Sequence, residues 1–229
     1  VTATIQAQSA KLLHTSNAFR ILSQEVLAKK LAELTGMEEM FFCNSGSEAN
    51  ETAFKLARLY GHKQGVNTPS VIVMKNAFHG RTLAALSATG NRKHQAGFEP
   101  LVPGFVRAPY NDIEALKTIA ENRSDIVAVM LEPIQGEGGV VVAEEGYLHA
   151  VAALCAQRGW LFMVDEVQTG NGRTGSLYAS LGIGIKPDVL TTAKGLANGV
   201  PIGVCMMGGQ AAGLFKPGSH GSTFGGNPL

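Results

Sequence analysis

The fold is decided by Trp160-Leu161-Phe162-Met163-Val164-Asp165-Glu166-Val167-Gln168, together with Thr191-Thr192-Ala193-Lys194-Gly195 further along the chain. The first stretch predicts a buried strand that delivers Asp165 to the rim of a sheet. The second lies at the end of an apolar run that starts at Pro187, and it predicts a neighbouring strand that ends at Lys194. Continuous apolar runs, rather than alternating ones, are typical of parallel strands with both faces covered.

Similar apolar runs alternate with helical patterns over most of the chain. The pattern predicts strands at 40–43, 71–74, 105–108, 126–131, 160–165, 189–193 and 202–207, and helices at 21–34, 47–60, 112–120 and 145–158. Such alternation indicates an α/β fold, a mostly parallel sheet with helices on both faces. Ligands of these sheets bind beyond the carboxyl ends of the strands.

Composition narrows the class of protein. The 229 residues carry 19 Lys and Arg against 18 Asp and Glu, a formal net charge of +1. We therefore expect no nucleic-acid partner. No apolar stretch approaches the roughly 20 residues of a membrane span, so we expect no membrane partner and a cytoplasmic location. Residues 1–229 are predicted to be the large domain of a longer chain, truncated at both ends, with a small domain largely missing.

A buried acid, an amide and a lysine at adjacent strand ends suit the chemistry of pyridoxal 5'-phosphate. In such a site Lys194 would hold the aldehyde, Asp165 would keep the pyridine nitrogen protonated, and Gln168 would bond the phenolic oxygen. Because Lys194 stands between Ala193 and Gly195 at the end of an apolar strand, we expect a partly desolvated amine.

Two other ligands of this region are rejected. A metal at Asp165 would need further ligands, but no His or second Asp stands at ligand spacing, and Glu166 should point to the opposite side. The stretch Gly170–Gly175 formally matches GxGxxG, yet it does not lie directly at a turn from strand into helix, as a dinucleotide site requires. We expect a glycine-rich wall there.

A second candidate region is Ser45-Gly46-Ser47-Glu48, between a predicted strand and a predicted helix. A serine three residues before a glutamate is a capping box, which explains the pattern structurally. The same helix start could bind a phosphate, with Gly46 allowing close approach. The downstream lysine and aspartate favour the phosphate.

Two further motifs follow predicted strands. In Phe78-His79-Gly80-Arg81, the aromatic ring is either core or a stacking partner of a pyridine ring, and the arginine could bind a substrate carboxylate. In the segment 132–139, Glu132 or Glu137 could cap a loop, orient the aspartate, or gate the entry of a substrate cation.

Taken together, the motifs resemble those of the class III aminotransferases, which are fold-type I pyridoxal-phosphate enzymes. The resemblance runs through essentially the whole chain, in order. It is carried by the segments 44–49, 78–82, 132–139, 165–170, 193–195 and 220–228. Two more segments, 14–17 and 95–101, narrow it to members that act on N-acetylornithine. Asn171 stands where methionine is common in the family.

The resemblance implies roles for individual residues. Lys194 and Asp165 would be catalytic. The cofactor would be bound by Ser45, Gly46, Ser47, Phe78, His79, Asp165, Val167, Gln168 and Lys194, with Thr223 reaching the phosphate in the neighbouring subunit. The substrate would be bound by Arg81, Glu137 and Ser222. The resemblance thus implies a homodimer with a shared active site, an amino donor, and 2-oxoglutarate as acceptor.

Rival functions remain open at this point. Within the family, the amino donor could be ornithine, succinylornithine or 4-aminobutyrate. From other classes, a Ser/His/Asp hydrolase could use the same residue types, although a GxSxG motif is missing. A cofactor-free binding module is the third alternative, and the presence of Lys194 and Asp165 speaks against it.

Overall fold

The computed structural model describes all of residues 1–229 and contains one large sheet flanked by helices. The strands are β1 (Glu39–Cys43), β2 (Ser70–Met74), β3 (Phe105–Ala108), β4 (Ile126–Leu131), β5 (Ile134–Gln135), β6 (Val141–Val142), β7 (Leu161–Asp165), β8 (Val189–Thr192) and β9 (Gly203–Met207). The helices are α1 (Thr2–Ser9), α2 (Leu22–Thr35), α3 (Gly46–Lys63), α4 (Leu83–Ala88), α5 (Arg92–Gln95), α6 (Ile113–Asn122), α7 (Tyr147–Arg158) and α8 (Ala179–Gly182).

Seven strands form the large sheet, in the order β1-β9-β8-β7-β4-β2-β3. Strands β8, β7, β4, β2 and β3 pair in parallel, whereas β9 is antiparallel to both of its neighbours. The predicted mostly parallel sheet is therefore confirmed. Because β1 runs in the same direction as the parallel strands, the chain segments that follow β1, β2, β4, β7 and β8 all emerge at one edge of the sheet.

Helices cover both faces of this sheet, as predicted. On one face α3 buries Phe54, Leu56 and Tyr60 against the strands. On the other, α6 and α7 bury a second apolar cluster that includes Leu116 and Val151. Every residue of β4 is buried, because this central strand has neighbours on both sides and helices on both faces. Burial of these two clusters, at about 25 cal/mol per Å² of apolar surface, is the main stabilising contribution.

Some elements escaped sequence prediction. No helix or strand was predicted between residues 74 and 105, yet this segment contains α4 and α5. The short β5–β6 hairpin and two 3₁₀ turns, at Lys194–Ala197 and Gly209–Ala211, were likewise not predicted. These elements span only two to six residues, too few for a hydrophobic period to develop.

Candidate active site

A cavity of about 410 Å³ opens at the edge of the sheet where the parallel strands end. Its walls are the segments that follow β1, β2, β4, β7 and β8, together with residues 199–202 before β9. Parallel strands bring their carboxyl ends to a common edge, so the topology alone gathers side chains from distant parts of the chain. The side chains that the sequence singled out after β1, β2, β4, β7 and β8 thus meet at this edge, except Arg81 and Glu137.

The helix start at Gly46 forms one wall of the cavity. Ser45 caps α3 by accepting a hydrogen bond from the Glu48 N–H at 3.2 Å, and the Glu48 carboxylate accepts one from the Asn44 N–H at 2.8 Å. The predicted capping box is thus present in a variant form, in which the Glu48 carboxylate binds the N–H of Asn44 instead of that of the cap residue Ser45. The first N–H groups of a helix have no intrahelical partner and attract anions. The capped helix start therefore also suits a phosphate at the cavity wall.

Close packing explains the glycine at this start. A Cβ on Gly46 would lie 2.6 Å from Cγ1 of Val167, which follows β7. No larger residue fits there unless the Val167 side chain moves. The predicted residues Ser45, Gly46, Ser47, Val167 and Gln168 all line the cavity.

Asp165 lies at the end of β7 with its carboxylate in the cavity wall, and only 4% of the residue is exposed. Oδ2 accepts hydrogen bonds from Asn50 Nδ2 at 2.7 Å and from His79 Nδ1 at 2.8 Å. Oδ1 accepts one from the Val167 N–H at 3.0 Å. Buried carboxylates are tolerated only with such partners. The three donors fix the orientation of the carboxylate.

His79 is the second buried member of this pair. Burial alone would lower the pKa of the imidazole, but the hydrogen bond and charge of Asp165, together with the charge of Glu132, outweigh it, so the pKa is raised above its ordinary value. The Nδ1 atom is engaged with Asp165, while Nε2 is buried without a hydrogen-bond partner. No serine hydroxyl therefore approaches Nε2, and a Ser/His/Asp relay is not formed.

Glu132 follows β4 and is also buried in the cavity wall. Its Oε2 accepts a hydrogen bond from the Phe78 N–H at 3.0 Å. Burial is the main cause that raises the pKa of this carboxyl to about 7, with the charge of His79 opposing it and that of Asp165 adding to it. The sequence left open whether Glu132 caps a loop, orients Asp165 or gates the cavity. In the structure it binds the loop that carries Phe78 and makes no hydrogen bond to Asp165.

Lys194 follows β8 and projects from the sheet edge into the cavity. The expectation of a partly desolvated lysine is wrong, because the residue is exposed. The buried strand ends at Ala193, and Lys194 already begins a 3₁₀ turn at the open mouth of the cavity. Phe78 lines the same cavity, half-buried.

Glu166, beside Asp165 in sequence, points away from the cavity as predicted. Its carboxylate is fully buried and accepts hydrogen bonds from the Thr169 hydroxyl, from the Ala179 N–H at 3.0 Å, and from the N–H and hydroxyl of Ser180, each at 2.7 Å. Adjacent carboxylates on one strand thus face opposite ways, and only Asp165 belongs to the cavity.

Four predicted site residues do not line this cavity. Arg81 is exposed, with its guanidinium carbon 5.6 Å from the centre of the Phe78 ring. Glu137 is exposed in the turn between β5 and β6. Ser222 and Thr223 line a neighbouring cavity of about 330 Å³. Since the resemblance assigned Ser222 and Thr223 to a shared site between subunits, that role stays a prediction.

The structure adds residues that sequence reasoning missed. Asn50 is 1% exposed and donates through Nδ2 to Asp165 and to the His79 carbonyl, the latter at 2.8 Å, while its Oδ1 accepts from the Thr191 hydroxyl at 2.7 Å. The sequence could have indicated Asn50 through its spacing. It lies four residues after Gly46 and therefore shares the helix face that turns towards the strand ends.

No three His, Cys, Asp or Glu side chains come together in a way that could hold a metal ion. None of the helices combines the length and the apolar character that crossing a bilayer demands.

Comparison with known proteins links this cavity to a family. The model of the family described as "Aminotransferase class-III" matches residues 1–229. The chain is 59% identical to an acetylornithine aminotransferase of Nitrosomonas europaea over 97% of its length, and 50% identical to one of Methanocaldococcus jannaschii over 98%. In each case it spans 56% of the relative, little more than half.

Solved structures agree on the fold. An ornithine aminotransferase from Toxoplasma gondii ME49 superposes with a TM-score of 0.94 at 37% identity, covering 99% of this chain and 55% of the other. An N-acetylornithine aminotransferase from Stenotrophomonas maltophilia K279a superposes with a TM-score of 0.81, also at 37% identity, covering 99% and 54%. The resemblance stated from the sequence is thus confirmed.

Proposed function

Because this chain belongs to the class III aminotransferases, we propose that its cavity binds pyridoxal 5'-phosphate and serves transamination between a primary amine and a 2-oxo acid. The observation that carries the proposal is the convergence, in one cavity, of a buried and triply hydrogen-bonded Asp165, Lys194 and the N-terminus of α3. We further propose that residues 1–229 are the cofactor-binding large domain of a longer protein, since they span little more than half of their relatives.

The residues present fit this cofactor. The start of α3, with Ser45, Gly46 and Ser47, would hold the phosphate through backbone N–H groups and a hydroxyl. Asp165 would pair with the pyridine nitrogen, Gln168 would donate to the phenolic oxygen, and Phe78 would stack on the ring. His79 would act through Asp165, and Val167 would pack beside Gly46. Bound pyridoxal phosphate supplies an electron-withdrawing ring that stabilises negative charge on an attached carbon.

Each side chain has a task that its environment supports. Asp165 is held by three donors and supplies a fixed negative charge, which is worth more in a water-poor wall than in solvent. Lys194 would bind the aldehyde group covalently and, once displaced by a substrate amine, would accept and return a proton at Nζ. The exposed position of Lys194 leaves its amine accessible to the aldehyde group of the incoming cofactor.

N-acetylornithine is the amino donor that we propose, with 2-oxoglutarate as acceptor and N-acetylglutamate 5-semialdehyde and glutamate as products, a step of arginine biosynthesis. The support is the identity of 50–59% to relatives named acetylornithine aminotransferase. Ornithine is the second candidate, since the Toxoplasma gondii structure with the TM-score of 0.94 carries that name. Succinylornithine and 4-aminobutyrate remain alternatives, and a cytoplasmic location stays a prediction.

A homodimer with a shared site is part of the proposal. Ser222 and Thr223 lie in the segment 218–224, beside the neighbouring cavity and outside the central one. In a dimer, this segment would reach the partner's phosphate and substrate. Arg81 and Glu137 would bind the substrate carboxylate and gate its access at the exposed rim.

The test is a half-reaction recorded by absorption spectroscopy. The full-length protein, loaded with pyridoxal phosphate, is mixed in turn with N-acetylornithine, ornithine, succinylornithine and 4-aminobutyrate, without an oxo acid. We expect the visible band to be lost fastest with N-acetylornithine. Lys194→Ala should abolish the exchange, and Lys63→Ala, at the distant end of α3, should not. Unchanged spectra with every amine would overturn the proposal, and a faster reaction with ornithine would overturn the choice of donor.

A further inference from the structure

The loop 170–175, which the sequence predicted to be a glycine-rich wall of the cavity, does not line it and is instead held behind it by Glu166. The buried carboxylate of Glu166 binds Thr169 at one end of the loop, and Ala179 and Ser180 at the other. The Gly170 N–H also donates to the Glu166 carbonyl at 2.9 Å. A loop tied at both ends to one buried group has little freedom, so a side chain within it points in a defined direction.

Asn171 is the residue that this loop presents to β8. Its backbone has a φ of +59°, a left-handed conformation that asparagine tolerates better than most residues. Its amide nitrogen donates to the Thr192 hydroxyl and to the Ala193 carbonyl, both at 3.0 Å. The Asn171 Cβ lies only 3.3 Å from the position that a Cβ on Gly195 would occupy. The amide thus holds the chain immediately before Lys194, and the Asn171 Cβ lies close to Gly195 immediately after it.

The backbone of Lys194 needs such support. Its φ is +43°, a left-handed conformation that is unfavourable for any residue other than glycine. The carbonyl that Asn171 binds belongs to the peptide unit joining Ala193 to Lys194. A hydrogen bond to this carbonyl fixes the plane of that peptide, and therefore the direction in which the Lys194 side chain leaves the backbone.

We propose that Asn171 is a positioning residue for Lys194. It acts through the Ala193 carbonyl and holds the lysine in the conformation in which Nζ enters the cavity. The inference rests on the proposed function, since positioning matters only if Lys194 captures an aldehyde. The alternative is that Asn171 merely ties two loops together, in which case its loss would lower stability and leave the behaviour of Lys194 unchanged.

The experiment compares two variants with a matched control. Asn171→Gly tolerates the left-handed conformation but lacks the amide, and Asn171→Asp keeps the shape but replaces the donor by an acceptor. The control is Asn111→Gly, because Asn111 also has a positive φ, of +61°, and donates to a backbone carbonyl, that of Val142, away from Lys194. Cofactor-free full-length proteins are mixed with pyridoxal phosphate, and the growth of the visible band and its pH titration are recorded.

Both Asn171 variants are expected to capture the cofactor about tenfold more slowly, because the hydrogen bond that fixes the Ala193 carbonyl is lost, and to shift the pH midpoint of the visible band. The control should capture the cofactor at the wild-type rate and with the wild-type pH midpoint. The melting temperatures of the cofactor-free variants should not fall in proportion to the slowing. Wild-type capture and titration in both variants, or slowing that merely follows lost thermal stability, would overturn the inference. A wild-type protein that captures no cofactor would instead overturn the proposed function, and the inference with it.

Discussion

The side chains at the inner end of the cavity differ from those at its outer rim in burial and in bonding. At the inner end Asn50, His79, Asp165 and Thr191 are each less than 5% exposed, and their hydrogen bonds join α3, β7, β8 and the loop after β2. At the rim Arg81 and Glu137 are exposed, and neither takes part in an ion pair. Contacts within residues 1–229 fix the positions of the inner side chains. The positions of the two rim side chains are not fixed by such contacts.

The largest effect is expected at the inner end, from Asp165→Asn. The change removes the negative charge and turns an amide towards Asn50 and His79, which are themselves donors. We expect kcat/KM to fall by roughly 10²–10³, as when a preorganised electrostatic partner is removed. Steady-state assays with N-acetylornithine and 2-oxoglutarate measure it.

The matched control for that substitution is Asp112→Asn, at the start of α6. Asp112 accepts a hydrogen bond from the Ala115 N–H, and asparagine caps helices equally well. Its kcat/KM should equal that of the wild type. Near-normal activity of Asp165→Asn would show that the buried charge is dispensable and that the inner end has been misassigned.

A smaller effect is expected from Asn50→Ala, and it concerns stability. The substitution leaves one Asp165 hydrogen bond unmade and the Thr191 hydroxyl without its acceptor inside the core. We expect the free energy of unfolding to fall by about 1–3 kcal/mol, measured by urea denaturation of the cofactor-free protein. Asn122→Ala, on the surface of α6, should change it by less than about 0.5 kcal/mol. Equal changes at both sites would remove the distinction between a fixed interior and a free surface.

The third prediction concerns pH. Because burial raises the pKa of Glu132 to about 7, the folded protein holds this proton at a pH where the unfolded chain, with a pKa near 4.5, has released it. Fewer protons on the unfolded chain mean that stability falls as the pH rises from about 4.5 to 7. The raised pKa of His79 acts in the same direction, since its stabilising contribution is lost as the pH rises through the folded value.

Glu132→Gln isolates that contribution. Glutamine can still accept the hydrogen bond from the Phe78 N–H but cannot ionise. The dependence of unfolding free energy on pH between about 4.5 and 7 should therefore be shallower in the variant than in the wild type. A variant with an unchanged or steeper dependence would contradict the pKa assignment. Urea denaturation at a series of pH values supplies the comparison.

The smallest effect on stability is expected at the rim, from Arg81→Gln. The exposed guanidinium lies over the Phe78 ring and takes part in no ion pair, so the free energy of unfolding should stay within about 0.5 kcal/mol of the wild type. The KM for the carboxylate substrate should rise while kcat changes little, as expected when uniform binding is lost. A large loss of stability would place Arg81 among the inner residues instead.

The same division explains what the sequence could predict. The long strands and helices were visible because continuous apolar runs and helical spacing extend over five or more residues, as in β4, β7 and α3. Asp165, Lys194 and the capping box were visible because they stand directly at the ends of such runs. The order of the parallel strands then brings them together without further information.

What could not be predicted depends on contacts between distant segments. The role of Asn50 follows from its proximity to Asp165 and Thr191, which lie 115 and 141 residues further along the chain. The exposure of Lys194 depends on a single 3₁₀ turn. Positions such as Arg81 and Glu137 are set by short turns, where no period exists to indicate which way a side chain points.

Borohydride reduction followed by peptide mapping tests the central claim most directly, because it records which amine holds the cofactor. The full-length protein is incubated with pyridoxal phosphate, reduced, digested and analysed by mass spectrometry. We predict that one label per chain is found, on the peptide containing Lys194, and that Asp165→Asn weakens retention of the cofactor before reduction. Label spread over several surface lysines, or absent from Lys194, would contradict the account.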